Sequence, residues 1–257
     1  MSIEDDFVAE ATRQEVITKI YDDVFHPAAS VVGDKLKGAT KIALSPLSVM
    51  IWSYDQISLY IEEKVSEYFN KKNIKEEEIS TPDPSIAVPI IETMRYSRHK
   101  PELQEMFINL LGASMDSNNI NEHPAFIEII KQLSSDECKM IKYLKDNFML
   151  PMLKLKFQLN DDSGGEIDAT PYFSDLCYKA NCFYPNKFPE YLNNLCRLGL
   201  VETLYDEYFI IDEPYIELRS NSNFPVPTNN NNKYKIVDKK SVFKLTEFGK
   251  MFCEVCV

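Results

Sequence analysis

Apolar residues recur every three or four positions through most of the first 150 residues, and this spacing predicts a succession of amphipathic helices. Over residues 4–25 they fall at Phe7, Ala11, Val16, Ile17, Ile20, Val24 and Phe25, with acids on the opposite side. His26-Pro27 interrupts that helix, and residues 28–42 carry Gly33 and Gly38, which weaken a helix without forbidding it. Ser45-Pro46 supplies a cap and a first-turn proline for a long helix whose face is Leu47, Met50, Ile51, Tyr54, Ile57, Ile61, Val65 and Tyr68. The charged, proline-closed stretch near residues 71–83 predicts a linker. Further helices are expected from Pro84 (Ile86, Ile90, Ile91, Met94), from Pro101 (Leu103, Met106, Phe107, Leu110, Leu111) and over 124–133. Ser134 and Glu137 have the S-x-x-E spacing of a capping box and open another.

The pattern changes at Pro151. Leu153, Leu155, Phe157 and Leu159 alternate with Lys154, Lys156 and Gln158, the period of a strand with one buried face. Thr170-Pro171 and Phe188-Pro189 each predict a helix start, and Gly199 can end the second helix in a left-handed cap. Strands are expected over 200–204, 207–211, 215–218 and 241–245, with an asparagine-rich flexible tip over 220–232 and a last helix capped by Thr246. Helix, helix, long hairpin, helix is a winged-helix-like order. The expected fold is therefore mainly α with a smaller α+β part: an N-terminal helical domain over 1–150, then a winged-helix-like C-terminal domain over 151–257.

Composition fits this picture. The 257 residues are 44% apolar and 26% charged, enough for one large core or two smaller ones. A net charge of -12 repels nucleic acid and anionic lipid except at a local basic patch. The acidity sits early, with 12 acids to 6 bases in residues 1–70 against 11 to 10 in 171–257. The start MSIEDDFVAEATRQE lacks the basic and apolar succession of a secretory signal, and no run approaches the roughly 20 apolar residues that span a bilayer. A cytoplasmic location without a transmembrane segment is expected, with the six cysteines as free thiols.

Candidate chemistry is sparse. Residues 160–168 imitate a calcium loop, but its twelfth position is Pro171 where a bidentate Glu is needed, so a solvated turn is expected. Cys253-x-x-Cys256 and Cys177-x4-Cys182 have zinc-like spacing, yet the first pair lies on a predicted helix, which favours packed thiols. His26, His99 and His123 sit in no nucleophile or zinc motif, and no phosphate loop or dinucleotide fingerprint is present. No catalytic residue, metal ligand or cofactor is expected. For a winged helix on DNA, the reading helix over 189–199 would offer Asn193, Asn194 and Arg197, and the hairpin would offer Lys233, Lys235, Lys239, Lys240 and Lys244. A solvated edge strand defended by lysines is the commoner cause of such a strip.

The stretch PELQEMFINLLGASMDSNNINEHPAFIEIIKQLSSDECKMIKYL, preceded by PIIETMRYSRHK, carries Glu102-Leu103, Met106, Asn109-Leu110-Leu111, Ala113-Ser114-Met115, His123-Pro124-x-Phe126, Ile129-Ile130 and Gln132-Leu133-Ser134. In this it resembles the abortive-infection alpha family of bacterial proteins. Weaker matches lie at Leu195-x-x-Leu198-Gly199-Leu200 and Leu245-Thr246-x-Phe248-Gly249. The resemblance implies a cytoplasmic protein of a phage-defence system and supplies no catalytic motif. Glu102, Leu103, Met106, Leu110, Leu111, His123, Pro124, Phe126, Ile130, Leu133 and Ser134 read as structural, the helix over 101–111 packing on that over 124–133. Removing one of the large side chains should cost about 2–5 kcal/mol.

The expected function is a non-enzymatic interaction protein of phage defence that binds a host or phage protein. A DNA-binding regulator acting through residues 151–257 is the alternative, and a membrane-directed toxin inserting residues 28–54 is the second. The oligomeric state is left open.

Overall fold

The computed structural model describes residues 54–97, 99–119, 122–160, 165–228 and 233–257. The helix expected over 4–25 and nearly all of the segment 28–54 lie outside the described residues. Among the described residues, the first five helices are α1 (Tyr54–Lys72), α2 (Pro84–Met94), α3 (Pro101–Met115), α4 (Ala125–Lys131) and α5 (Ser135–Lys145). Then follow β1 (Leu150–Leu159), β2 (Glu166–Asp168), α6 (Leu176–Lys179), α7 (Phe188–Arg197), β3 (Val201–Leu204), α8 (Glu213–Ser220), β4 (Tyr234–Leu245) and α9 (Glu247–Cys256).

Local chemistry sets the helix boundaries. Asp83 accepts the Ser85 backbone N–H at 2.7 Å and places Pro84 in the first turn of α2, where a missing N–H costs nothing. The capping box of α5 is complete: the Ser134 hydroxyl accepts Glu137 N–H at 3.2 Å, and Glu137 accepts Ser134 N–H at 2.7 Å. Gly199, at φ +73, ends α7 in the left-handed cap that its position predicts. Residues 74–83 carry a 3₁₀ turn over Glu76–Glu78 and are fastened to the end of α3, where Ser80 N–H donates to Met115 O at 2.8 Å.

The helix α3 is central. Leu103, Met106, Phe107, Leu110 and Leu111 are buried as their spacing predicts, and so are Gln104, Ile108 and the 112–114 stretch. A helix buried on nearly every side needs neighbours all round. At the tightest of these contacts Gly112 admits the ring of Tyr68 from α1. From the far end of the chain, α9 packs against the same core. Phe126 of α4 meets Phe248 and Phe252 at ring-centroid distances of 5.4 and 5.2 Å, and Asn109 donates to Cys256 O at 3.1 Å. One buried cluster thus reaches from Ile57 to Cys256.

The four strands among the described residues form one antiparallel sheet in the order β2-β1-β4-β3. β1 and β4 pair from Leu150↔Phe243 to Leu159↔Tyr234, and β3 pairs with β4 from Val201↔Leu245 to Leu204↔Val242. Two expectations for this part are corrected. Thr170-Pro171 starts no helix, because Phe173 and Leu153 exchange both backbone bonds (2.9 and 2.7 Å) and Thr170 Oγ1 accepts Leu155 N–H at 3.0 Å, holding 170–173 against β1. Residues 207–211 and 215–218 are not strands. The latter lie in α8, where Pro214 occupies the first turn and Tyr215 and Leu218, three residues apart, are the buried pair. The connection from β3 to β4 therefore carries a helix instead of a plain hairpin.

Candidate interaction surface

The resemblance-bearing residues are placed in the core or at helix ends. Leu103, Met106, Leu110, Leu111, Phe126, Ile130 and Leu133 are buried. His123 accepts Ala125 N–H on Nδ1 at 3.1 Å, beside Pro124 at the start of α4, and its ring lies 5.9 Å from those of Phe126 and Phe248. Glu102 stands 3.9 Å from Lys139. Ser134 is the cap of α5.

The first turn of α5 fixes the approach to α7. The Asp136 carboxylate, with only 3% of its side chain exposed, accepts Phe183 N–H (2.7 Å), Tyr184 N–H (2.9 Å) and the Tyr191 hydroxyl (2.9 Å). Three donors offset the desolvation of a buried carboxylate. Burial, then the bond to Asp136, pushes the Tyr191 phenol well up. Glu137, buried beside it, accepts Asn194 Nδ2 at 2.7 Å, so the capping residue also holds α7.

That contact bears on the candidate nucleic-acid residues. Asn194 also donates to Gln132 O at 3.2 Å, and Arg197 donates to Gln132 Oε1 at 2.9 Å and to Asn194 Oδ1 at 2.7 Å. Asn193 is exposed. In the lysine strip, Lys239 faces Asp206 at 3.6 Å, Lys240 faces Asp212 at 2.8 Å and Lys244 faces Glu202 at 3.4 Å, while Lys233 and Lys235 are exposed. The structure sets Lys239, Lys240 and Lys244 against acids of neighbouring elements and ties Asn194 and Arg197 to the protein itself.

A different surface stands out between β3 and α8. Here Phe209 turns inward against the small cluster of Leu153, Phe173, Tyr215 and Leu218. Tyr215, fully buried, locks it: its hydroxyl accepts Phe209 N–H at 3.1 Å and donates to Ser241 O at 3.2 Å. With Phe209 pinned, its neighbours stay in solvent, Tyr208 at 59%, Ile210 at 98% and Ile211 at 61% exposure, joined by Ile216 on α8 at 52%. The base is held by ions as well as apolar contact. Asp212 receives Lys240 at 2.8 Å and Arg219 at 3.3 Å, and Arg219 also reaches Asp238. The bond to Lys240, with the charge of Arg219 beside it, holds the Asp212 carboxyl below its ordinary range. Sequence reasoning missed this ridge by reading its apolar run as a strand; the available signal was Tyr208 to Ile211 without a polar residue between them.

Other chemistry is scarce among the described residues. No group of three or more His, Cys, Asp and Glu side chains there could hold a metal ion. All six cysteines carry free thiols, Cys253 and Cys256 being buried on α9. A cleft of about 320 Å³ between α1 and α3 is lined by Tyr60, Lys64, Tyr68, Lys71, Ile108 and Asn109 among others, and it presents no cysteine, serine or histidine. No described helix is long and apolar enough to cross a membrane.

The family model described as Abortive infection alpha matches residues 54–256. No curated protein matches the chain. A solved structure, that of an uncharacterized protein from the hydrocarbon-degrading marine bacterium Alcanivorax borkumensis SK2, is similar at 16% identity over 51% of this chain and 91% of that chain, with a TM-score of 0.34.

Proposed function

Because the chain belongs to the abortive infection alpha family, we propose that it serves cytoplasmic phage defence as a non-enzymatic interaction protein, binding a host or phage protein through the ridge of Tyr208, Ile210, Ile211 and Ile216. The observation that carries this reading is the exposure of Tyr208, Ile210 and Ile211 on a loop, and of Ile216 on α8 that follows it, above a base that is buried, hydrogen-bonded and ion-paired. Large apolar side chains exposed to water gain by desolvation when a partner covers them. The test compares protection against phage in cells carrying the wild type and the triple variant Tyr208→Ser, Ile210→Ser, Ile211→Ser, with circular dichroism showing that the variant is folded. Loss of protection with an intact fold is the expected result, and unchanged protection would refute the role of the ridge.

A DNA-binding role is the second reading, favoured by the succession α6, α7, β3, α8, β4, α9 and the strand order β1-β4-β3, which suit a winged-helix-like domain over 151–257 with a helix inserted between β3 and β4. It ranks lower because phosphate neutralisation needs available cations, and Lys239, Lys240 and Lys244 already face acids. Duplex binding at low salt that is lost when Lys233 and Lys235 are changed to Gln would restore it.

A further inference from the structure

We infer that the ridge docks into an apolar groove bordered by lysines and arginines on a different protein; this rests on the reading of the ridge as the binding surface. Glu207, Glu213 and Glu217 surround the apolar side chains in the chain, all three exposed, and none makes an ion pair within 4 Å among the described residues. The cations nearby are already matched: Lys239 with Asp206, Lys240 with Asp212, and Arg219 with both Asp212 and Asp238. What remains is an apolar crest flanked by carboxylates that no ion pair among the described residues meets, Glu217 lying only in the field of Lys179, which Asp175 already holds at 2.8 Å.

That arrangement selects among partners. Two ridges packed face to face would bring six such carboxylates together on chains that each carry a net charge of -12, so a symmetric second copy is opposed. Nucleic acid and anionic bilayers are repelled by the same rim. A basic-rimmed apolar groove satisfies both parts: its centre desolvates Tyr208, Ile210 and Ile211, and its lysines and arginines meet Glu207, Glu213 and Glu217 at the wet edge. Rim charges of this kind act chiefly on encounter rate and salt dependence, whereas the buried centre sets lifetime.

The experiment selects random displayed peptides on the immobilised full chain. Peptides are scored by whether the triple variant Tyr208→Ser, Ile210→Ser, Ile211→Ser still retains them. The inference expects ridge-dependent peptides that combine aromatic or aliphatic residues with an excess of Lys and Arg. Their affinity should fall about tenfold between low and physiological salt, and less than about twofold in the variant Glu207→Gln, Glu213→Gln, Glu217→Gln. Ridge-dependent peptides without basic excess, or without salt dependence, overturn the charge inference and leave the ridge itself standing. No ridge-dependent peptide overturns both. A ridge-dependent dimer in sedimentation, or ridge-dependent pelleting with vesicles of anionic phospholipid, also overturns the choice of partner.

Discussion

Gly249 lies so close to Leu200 that a Cβ upon it would stand 2.0 Å from the Leu200 carbonyl oxygen. The same carbonyl accepts Thr246 N–H at 3.0 Å, and the Thr246 hydroxyl donates to Gly199 O at 2.6 Å. The two short stretches that extend the family resemblance downstream therefore interlock, the end of α7 against the start of α9. Gly249→Ala should lower stability by about 1–3 kcal/mol, because a carbonyl held by Thr246 cannot retreat without losing its bond. Gly112→Ala should cost less. There a Cβ would meet Tyr68 Cδ1 at 2.4 Å, and a side-chain ring can turn aside. Midpoints of urea unfolding for the two variants would check the order, and equal midpoints would count against it.

Helices with a buried stripe were legible in the sequence because the signal that marks them is also the force that builds them. Leu103, Met106, Phe107, Leu110 and Leu111 must share a face to be desolvated together, so their spacing announces the packing. Caps were legible for a similar reason, since Ser134 and Glu137 satisfy each other within one turn. The ridge was not legible. Tyr208 and Ile210 are as apolar as any core residue, and only distant groups decide their exposure: Tyr215 and Ser241 pin Phe209 inward, and no described residue covers its neighbours. The pairing of Lys239, Lys240 and Lys244 was not legible for the same reason, their partners Asp206, Asp212 and Glu202 being supplied by other elements. Tyr215 and Leu218 span too few residues for period two and period 3.6 to be told apart.

Tyr215→Phe should loosen the ridge selectively. The substitution keeps the buried ring but removes the hydroxyl between Phe209 N–H and Ser241 O, leaving a donor and an acceptor unpaired at a cost of about 1–3 kcal/mol. Hydrogen exchange across residues 205–211 should accelerate, while amides of α3 keep their protection in proportion to the global change. Uniform acceleration in both would show that the hydroxyl only adds to overall stability.

Alkylation at mildly alkaline pH should modify Cys182 before any other described thiol. The neighbouring Cys177 thiol holds its pKa below the ordinary thiol value, and its side chain is only partly buried. Burial pushes Cys253 up to about 12 and pushes Cys138 and Cys256 well up too, so these stay protonated and shielded. Mass spectrometry of iodoacetamide-treated native protein would give the order. First labelling on Cys138, Cys253 or Cys256 would contradict the packing of α5 and α9.

Acid should release the ridge at its base. Asp212 is held below its ordinary pKa of 3.8, first by the bond to Lys240 and then by Arg219. Asp83 is held down by Ser85 at the start of α2, and Glu247 by Lys250 in α9. A carboxylate whose folded pKa lies below its unfolded one contributes stability that is fully present above the unfolded value and is lost as pH falls through the folded value. Stability should therefore be flat from neutrality down to about pH 5 for these groups and decline below it. Asp212→Asn should weaken the protein at neutral pH and remove its share of the acid slope, with proteolytic cleavage appearing first within 205–220. If the variant shows the same acid slope as the wild type and no new cleavage there, Asp212 does not fasten α8 to β4 in solution.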